Sequence, residues 1–519
     1  MLIPNKEKRK LFEDPVCLKI GTNQLSFRIK TKPMNKPSFI LRIILLVLFV
    51  LGITPQITKS QSTSIQNKFI EWQKTPELAH TSICVNVTDN QTGEEIIGTS
   101  PQVSLVPASI FKVITTATAL DVLGPDFRFN TQLSYSGILR NDTLLGDLQI
   151  IGGGDPTLNS SYFPENGSVI EKWLDAIRQK NIKVITGNLI VDGTAYESQG
   201  ISDTWAWEDL GCAYGAGTSG ISFCDNMFEI HLSSEKIAEK PTQIVKIIPE
   251  IPNLEIQNEV LSSDIDGDHS CIFGRAEENK RIIRGTIPKN KTDFVINAST
   301  PNPAALLANE LRKKLSGNGI IISGQSLFGK AKSGENQSTL ISLIQSPSLR
   351  EIIKVTNYES VNLFAEHFLK QLAFQKNGLG TIKDGCKIIT EFWKEKGLDM
   401  NGFFMTDGCG LSRFDGVTAR QMVDVLRYMK TQSAYSDDFI QSLPSAGNGT
   451  LSAFRPEDFP NQCLHAKSGS MTRVRCYAGY LTTTSGRQLS FAIMLNNFSC
   501  NSSEAGKKIR ELLIELRKM

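Results

Sequence analysis

The spacing of apolar and polar positions predicts a chain that mixes helices with short strands. One helix is predicted after a proline suited to a first helical turn, with apolar residues at helical spacing: Pro107, then Ile110, Val113, Ile114 and Ala117. A second helix is predicted from Ser348, where Glu351 completes a capping box, and a third runs on from Leu363. Strand-like runs cover 186–192 and 474–481.

Both ends of the chain carry informative apolar patterns. Residues 43–53 form the one strongly apolar run, and about eleven residues is too short for a bilayer span of roughly 20. With the basic stretch before it, this run is typical of a secretory signal, with Met34 as the predicted start and Ser60 or Ser62 beside the cleavage site. An uncleaved short anchor is the alternative. Under both interpretations, the residues after about 62 are expected to lie outside the cytoplasm. Residues 504–519 form an amphipathic helix predicted to pack on a sheet.

At 519 residues, the chain is long enough for roughly three domains of about 150 residues each. Lys and Arg number 56 and Asp and Glu 53, so the formal net charge of +3 argues against a dedicated nucleic-acid binder. Hydrophobic residues make up 40% and aromatic residues 8%, which is too much for a largely disordered chain. We therefore predict a globular, exported protein of several domains with no nucleic-acid partner.

Nine of the ten cysteines follow the apolar run, a number compatible with an exported protein. None shows the paired spacing of a zinc site, and we predict no metal. Two pairs lie close in sequence, Cys212 with Cys224 and Cys463 with Cys476, the latter flanking a predicted hairpin. Each pair could form a bridge or remain as two unpaired thiols, and the sequence leaves both alternatives open.

Ser109 and Lys112 form the first cluster that could carry chemistry. They are three residues apart on the predicted helix, which places their side chains on one face, a turn apart. A serine hydroxyl is a weak nucleophile until a base removes its proton, and a desolvated lysine with a lowered pKa can be that base. Because Ser-x-x-Lys also occurs by chance in many proteins, the pair alone decides nothing.

Two later clusters are equally ambiguous when each is taken alone. Ser360 and Asn362 lie two residues apart on a turn between predicted helices and can point into one cleft, although an ordinary polar turn has the same composition. Lys467 precedes the small residues Ser468 and Gly469, which allow another chain to approach the backbone closely. The lysine could bind a carboxylate, and the backbone amides at the strand edge could bind a peptide or an oxyanion. A surface hairpin with a solvated lysine is the alternative.

Taken together and in order, these motifs resemble the active-site set of penicillin-binding proteins and serine β-lactamases. From Ser109 to Ser360 is 251 residues, and from Ser360 to Lys467 is 107. The first gap is much longer than in simple β-lactamases, which indicates domains inserted between the first two motifs. The chain resembles more specifically the D-alanyl-D-alanine carboxypeptidase/endopeptidases among the low-molecular-mass, class C penicillin-binding proteins. This resemblance covers about 65–515 and rests on further segments at 123–129, 146–158, 205–209, 407–413 and 443–451.

The resemblance implies an α/β (α+β) fold. Its catalytic domain is an antiparallel sheet flanked by helices, and large, mainly β domains are inserted into it. The stretch 329–348 is rich in Gly, Ser, Asn and Lys and is predicted as the linker at the second junction. The expected domains are 1–61 as N-terminal extension and signal or anchor, 62–130 plus 346–519 as catalytic domain, and 131–345 as insertion, with a smaller nested domain at about 212–275.

The resemblance also implies roles for the motif residues. Ser109 attacks the carbonyl between two terminal D-alanines, and Lys112 takes its proton. Ser360 relays a proton to the leaving amine, and Asn362 holds the substrate amide. The charge of Lys467 favours the neutral form of Lys112. The site needs no cofactor.

Substrate contacts follow from the same resemblance. The implied substrate-binding residues are Ser468, Gly469, Ser470, Met471, Thr472, Asp209 and Arg413. Asp209 is expected to take the amine, and Arg413 and Thr472 the carboxylate, at the end of a diaminopimelate side chain. Alternatively, Arg413 pairs with Asp407 or Asp415, and Asp209 caps a turn.

Two positions depart from the family pattern. Ser468 replaces the usual Thr but keeps its hydroxyl, and Cys409 stands where a Ser is usual and adds a thiol near the site. Ser468 is expected to bind the terminal carboxylate together with Lys467. The oxyanion is expected to rest on the backbone amides of Ser109 and Ser470.

Two rival functions share part of this pattern. A β-lactamase uses the same acylation but must deacylate quickly, and the large insertion argues against it. A catalytically silent, cell-wall-binding scaffold would not need three intact motifs. We therefore predict a serine D-Ala-D-Ala carboxypeptidase and/or endopeptidase that acts on peptidoglycan stem peptides and crosslinks and is covalently inhibited by β-lactam antibiotics. Its expected location is the periplasm or cell envelope; the balance of the two activities and the oligomeric state stay open.

Overall fold

A computed structural model describes residues 66–67, 69–331 and 338–519. The predicted signal at 43–53, with its predicted start and cleavage site, lies outside these residues. Within the described ranges, no helix is long and apolar enough to cross a membrane.

Six of the helices given below begin where the sequence supplies a capping side chain. Ser348 and Glu351 form the predicted capping box, with Ser348 N donating to Glu351 Oε2 over 2.8 Å. The predicted mixture of helices and strands is confirmed. The α-helices that lie wholly within the described ranges are, in chain order, α1 Lys112–Leu123, α2 Val169–Gln179, α3 Pro303–Ser316, α4 Leu349–Glu359, α5 Asn362–Asn377, α6 Ile382–Glu395, α7 Ala419–Thr431, α8 Ser436–Ser442 and α9 Ser502–Arg517.

The strands are mostly short and occur in three stretches of the chain. The predicted strand at 474–481 is β19, and the one at 186–192 contains β7. In chain order they are β1 Ser82–Asp89, β2 Glu95–Thr99, β3 Ser104–Leu105, β4 Asn130–Arg140, β5 Thr143–Gly152, β6 Val184–Ile185, β7 Leu189–Asp192, β8 Met227–Ser233, β9 Gln243–Ile248, β10 Glu255–Ser263, β11 His269–Phe273, β12 Lys280–Pro288, β13 Phe294–Ser299, β14 Ile321–Ile322, β15 Ser326–Phe328, β16 Thr339–Gln345, β17 Val417–Thr418, β18 Leu464–Met471, β19 Val474–Thr482 and β20 Gln488–Asn496.

The first and last parts of the chain share one antiparallel sheet of order β18-β19-β20-β1-β2. Alternate residues of β20 face opposite sides: Ala492 and Met494 join the core with α1 and α4 to α7, whereas Phe491 and Ile493 join the core beneath α9. Helices therefore cover both faces, and the predicted packing of 504–519 on a sheet is confirmed. β18 lies at the edge, where backbone groups can pair with an added peptide.

The middle of the chain builds three further sheets. The largest has the order β14-β6-β5-β4-β16, with β7 pairing β5 and β15, and the others have the orders β13-β8-β9 and β10-β12-β11. The prediction of a linker over 329–348 is wrong for part of that stretch, because β16 lies within it and pairs antiparallel with β4. Its Ile341 and Ile344 pack against the core of the insertion, which outweighs the polar composition around them.

The strand pairing also bears on the predicted nested domain at about 212–275. Residue 275 falls between β11 and β12, which pair with each other, and β13 pairs back with β8. The domain boundaries remain predictions, and this pairing favours a nested unit that extends to about residue 299.

All nine described cysteines have free thiols, so the alternative of bridged pairs is wrong. Cys476 stands opposite Gly469 in the β18–β19 hairpin, and Gly469 lies six residues along the chain from Cys463. At about 3.4 Å per residue the two lie far beyond disulfide reach. Cys212 Sγ is instead 3.7 Å from Glu208 O.

Candidate active site

Ser109 lies in a tight turn that leads directly into α1. This 3₁₀ turn, Ala108–Phe111, is approached closely by backbone from two directions. A Cβ added at Gly410 would lie 2.1 Å from Ala108 O, and one added at Gly469 would lie 3.1 Å from Ser109 N. Only glycine allows both chains to come so near the nucleophile, which explains the small residue after Lys467 and Ser468.

Lys112 begins α1 and is completely buried. Its Nζ donates to Ser109 Oγ over 2.9 Å, to Asn362 Oδ1 over 2.6 Å and to Cys409 O over 2.8 Å. Burial lowers the pKa of Lys112, and nearby acidic groups oppose this shift without reversing it. The predicted contact between Ser109 and Lys112 is therefore present, at an amine whose charged form is disfavoured.

Ser360 and Lys467 form a second serine–lysine contact. Ser360 caps the end of α4 in a left-handed conformation (φ 60°), and its Oγ accepts from Lys467 Nζ over 2.9 Å. Lys467 is also buried and donates to Ser468 O over 2.8 Å. Burial, followed by repulsion from Lys112 and Arg475, lowers the pKa of Lys467 well below its ordinary value.

Asn362 connects the catalytic sheet region with the insertion. It is the first residue of α5, and its Nδ2 donates to Tyr214 O over 2.8 Å while its Oδ1 accepts from Lys112. A cleft of about 470 Å³ opens beside Ser360 and Asn362 and is lined on its other side by insertion residues such as Tyr214 and Cys271. The structure thus brings together all five side chains predicted as catalytic: Ser109, Lys112, Ser360, Asn362 and Lys467.

The remaining predicted residues of β18 lie along the sheet edge. Ser468 is buried, whereas Ser470 is exposed and its Oγ lies 3.4 Å from Ser502 Oγ at the start of α9. Met471 is half-buried, and Thr472 is exposed in the turn that follows. In the part of the chain that the structure describes, Thr472 makes no hydrogen bond to Asp209 or Arg413.

Asp209 and Arg413 meet around Glu208. Arg413 Nη2 lies 3.4 Å from Glu208 Oε1, and the alternative pairing of Arg413 with Asp407 or Asp415 is wrong. Asp209 is buried, and its Oδ1 accepts from the hydroxyl of Tyr214 over 2.9 Å rather than capping the turn. Burial raises the pKa of Asp209, Glu208 adds to the rise, and Arg413 opposes it.

The turn after Asp407 is organised by that carboxylate. Four N–H groups donate to it, from Cys409 N, Gly410 N, Ser412 N and Trp205 Nε1, at 2.6–3.1 Å. This turn presents Cys409 O to Lys112. The segments 205–209 and 407–413, noted in the sequence as separate points of resemblance, are therefore one structural unit.

Glu366 was missed by the sequence analysis. It is buried on α5, four residues after Asn362, and its Oε1 accepts from Gly408 N over 2.7 Å. Burial, with the nearby charge of Asp407, raises the pKa of Glu366 to about 8. Donor atoms of Glu366, Asp407 and Cys409 lie within 4.8 Å of one another, but a metal ion there would have to displace N–H donors from Asp407. The signal in the sequence was the spacing of four residues between Asn362 and Glu366, which places both side chains on one face of α5.

A serine in contact with one buried lysine, beside a second buried lysine at the edge of an antiparallel sheet, defines the class of serine acyl-transferring enzymes that includes penicillin-binding proteins and serine β-lactamases. Within this class, residues 66–518 match the model of the D-Ala-D-Ala carboxypeptidase 3 (S13) family. The chain therefore belongs to that family, and it is a serine-type D-Ala-D-Ala carboxypeptidase, as predicted.

Individual relatives agree with this assignment. A D-alanyl-D-alanine carboxypeptidase of Actinomadura sp. (strain R39) is 26% identical over 469 residues, covering 88% of this chain and 86% of the relative. The D-alanyl-D-alanine carboxypeptidase DacB of Haemophilus influenzae is 25% identical over 449 residues, covering 84% and 89%. The crystal structure of penicillin binding protein 4 (dacB) from Haemophilus influenzae superposes with a TM-score of 0.73 at 23% identity, covering 85% of this chain and 97% of that chain, and confirms the predicted fold.

Proposed function

We propose that the chain removes the terminal D-alanine from peptidoglycan stem peptides and cuts their crosslinks, with Ser109 as the nucleophile. The observation that carries this proposal is the 2.9 Å contact between Ser109 Oγ and the Nζ of Lys112, a lysine with no exposed surface. A buried amine beside a serine hydroxyl is placed to act as a base, because desolvation disfavours its ammonium form.

Acylation begins when Ser109 Oγ attacks the carbonyl carbon between the two D-alanines and Lys112 Nζ takes the hydroxyl proton. The carbonyl oxygen becomes an oxyanion, which the backbone amides of Ser109 and Ser470 stabilise; one such donor is typically worth about 3–4 kcal/mol. The close approach of β18 to the Ser109 turn at Gly469 supports this placement.

Collapse of the tetrahedral intermediate breaks the C–N bond, and the leaving amine needs a proton. Ser360 supplies it, since its Oγ is hydrogen-bonded to Lys467 and it lies on the turn that also carries Asn362. The proton that Lys112 took from Ser109 then replaces the one that Ser360 gave up. Water attacks the acyl carbon, the bond between that carbon and Ser109 Oγ breaks, and a proton of the water returns to Ser109 as the shortened peptide leaves. Asn362 holds the substrate amide, and Lys467 with Ser468 binds the terminal carboxylate.

Substrate choice is assigned to the region around Asp209. Its buried carboxyl group faces the charged end of a diaminopimelate side chain, with Arg413 and Thr472 for the carboxylate beside Met471. The contact between Arg413 and Glu208 supports this assignment, because it places the cation of Arg413 beside the carboxyl groups of Glu208 and Asp209. Substrates of this kind lie in the cell envelope, and the signal-like run at 43–53 supports export to it.

The rival functions predict different outcomes on exposure to penicillin. A β-lactamase would release hydrolysed penicillin quickly, and a silent scaffold would not be acylated. The buried contacts of Lys112 and Lys467 favour an active enzyme over a scaffold, because two desolvated lysines are costly unless they serve a purpose.

The test is the intact mass of the chain from residue 62 onwards after brief exposure to benzylpenicillin. We expect a stable adduct on the wild type and none on Ser109→Ala. Ser104→Ala is the matched control: it makes the same chemical change, but its hydroxyl donates to Gly402 O and not to the site. Adduct on Ser109→Ala, or rapid accumulation of hydrolysed drug, would overturn the proposal.

A further inference from the structure

The backbone turn that carries Cys409 is held from both sides next to the catalytic lysine. From α1, Thr115 Oγ1 donates to Gly408 O over 2.6 Å and Lys112 Nζ donates to Cys409 O over 2.8 Å. From α5, Glu366 Oε1 accepts from Gly408 N over 2.7 Å, and the same carboxyl group interacts with the amide and thiol of Cys409. One short stretch of backbone therefore links Glu366 to the base.

Asn362 and Glu366 are four residues apart on α5, so their side chains lie on the same face of the helix. Asn362 accepts directly from Lys112 Nζ, whereas Glu366 reaches it through the turn. We propose that Glu366 is a positioning residue for the reaction, and that its carboxyl group holds the amine of Lys112 at Ser109 through the backbone of this turn. This inference rests on the proposed function, in which Lys112 is the base.

Charge gives Glu366 a second influence that a neutral acceptor would lack. Both Glu366 and Lys112 are buried, so a negative charge on one favours the ammonium form of the other. The carboxylate of Asp407, which four N–H groups stabilise, disfavours a second negative charge at Glu366. Glu366 ionises only above its raised pKa of about 8, and where it does, its charge raises the pH at which Lys112 becomes the neutral amine. The protonated carboxyl group holds the turn without that effect.

Other titratable groups lie near Glu366, Asp407 and Lys112 and also influence which of these side chains is charged. Asp415 contacts Asp407, and the pKa of Asp415 is raised well above its ordinary value by burial and by that neighbour. Lys467 faces Lys112 from β18. On α5 itself, Lys370 lies one turn after Glu366 and is paired with Glu197. Because these partners are unchanged in a variant at position 366, an altered pH dependence there reports on Glu366.

The test is the second-order rate constant for acylation by benzylpenicillin, measured against pH for the wild type, Glu366→Gln and Glu366→Ala. Glu366→Ala loses the acceptor for Gly408 N, and we expect the rate constant to fall about 10- to 100-fold at every pH. Glu366→Gln keeps an oxygen that can accept. We expect it to hold the rate constant within about threefold at its plateau and to move the midpoint of the acidic limb to lower pH, because no negative charge can then favour the ammonium form of Lys112.

Gln371→Ala is the matched control on the same helix. Gln371 is buried and accepts from the hydroxyl of Tyr196, so its loss should lower the melting temperature and leave the rate constant and the midpoint unchanged. A rate constant for Glu366→Ala equal to that of the wild type would overturn the proposal, as would an unmoved midpoint in Glu366→Gln. Should Glu366→Ala fail to fold, the midpoint in Glu366→Gln decides. Absence of a Ser109-dependent adduct on the wild type would instead refute the proposed function.

Discussion

Two regions of the proposed substrate site hold their charged groups in opposite ways. Lys112 and Lys467 have no exposed surface, and hydrogen bonds from several elements fix each amine. Arg413 and Glu208 keep 46% and 60% of their side chains exposed, and their 3.4 Å contact lies in water. Exposed pairs of this kind are worth about 0–1 kcal/mol, whereas burial of the lysines lowers their pKa values.

This difference in burial suggests that the lysine region serves the reaction itself and that the region around Arg413 and Glu208 serves the choice of substrate. In the proposed mechanism, the buried lysines act on groups that every substrate carries, the scissile carbonyl and the terminal carboxylate. The exposed region meets only substrates with a long charged side chain. Variants of the first region should therefore affect penicillin and all peptides alike, and variants of the second should affect one kind of peptide.

The largest expected effect is at Lys112, the proposed base. Lys112→Met removes the amine that is proposed to take the Ser109 proton, and we expect acylation by benzylpenicillin to slow by about 10³-fold or more. The time course of adduct formation by intact mass measures it. Lys376→Met is the control, since Lys376 is an exposed lysine near the end of α5 that pairs with Glu391. A Lys112→Met enzyme within tenfold of the Lys376→Met rate would contradict the role of Lys112 as base.

A smaller loss is expected where β18 passes the nucleophile. In Gly469→Ala, the new Cβ would lie 2.7 Å from Pro107 O, so either the strand or the Ser109 turn must shift. Because a displacement of about 1 Å can cost on the order of 100-fold in rate, we expect acylation to slow by about 10- to 100-fold. Gly267→Ala, where a Cβ meets nothing within 4 Å, should acylate normally. Normal acylation of Gly469→Ala would refute the close fit.

The buried region was also the one that the sequence predicted best. The contact between Ser109 and Lys112 follows from a spacing of three on one helix, and the capping box at Ser348 depends on a spacing of the same length. Such patterns fix geometry locally, so they can be recognised without knowledge of the fold. The three motifs together then indicated the class of fold that joins them.

What the sequence did not predict depends on contacts between distant segments. Glu366 meets the turn of Gly408 across 42 residues, and Lys112 meets Cys409 across 297. No local pattern encodes either contact. The sequence also could not decide whether Cys463 and Cys476 form a disulfide or stay as free thiols. The register of the hairpin, and not closeness in sequence, sets the distance between them.

A third prediction concerns the stability of the folded chain, which we expect to depend on pH through a buried histidine. His367 on α5 donates from Nδ1 to Gly154 O over 2.8 Å and accepts at Nε2 from Ser222 Oγ over 2.9 Å, which ties the helix to the insertion. Burial lowers the pKa of His367 to about 3. The unfolded chain takes up this proton below about pH 6.5 and the folded chain does not, so stability is lost as the pH falls from about 6.5 to about 3.

At pH 5 this loss amounts to about 2 kcal/mol of unfolding free energy, or about 30-fold in the unfolding equilibrium. We expect the melting temperature of the wild type to fall more between pH 7.5 and pH 5 than that of His367→Gln. His269→Gln, at an exposed histidine of β11, should behave as the wild type. Parallel losses in the wild type and His367→Gln would show that other groups set the acid response.

The smallest and most selective effect is expected at Asp209. Asp209→Asn keeps the acceptor for the Tyr214 hydroxyl but removes the charge that would meet a side-chain ammonium. For peptides ending in D-Ala-D-Ala that carry a diaminopimelate ammonium, we expect kcat/KM to fall about tenfold, equivalent to about 1.4 kcal/mol, with simple acylated D-Ala-D-Ala peptides unaffected. Glu208→Gln, one residue away and exposed, should lose less, because its charge is screened by water. Equal losses for both kinds of peptide would place Asp209 in the chemistry common to all substrates and erase the division between the two regions.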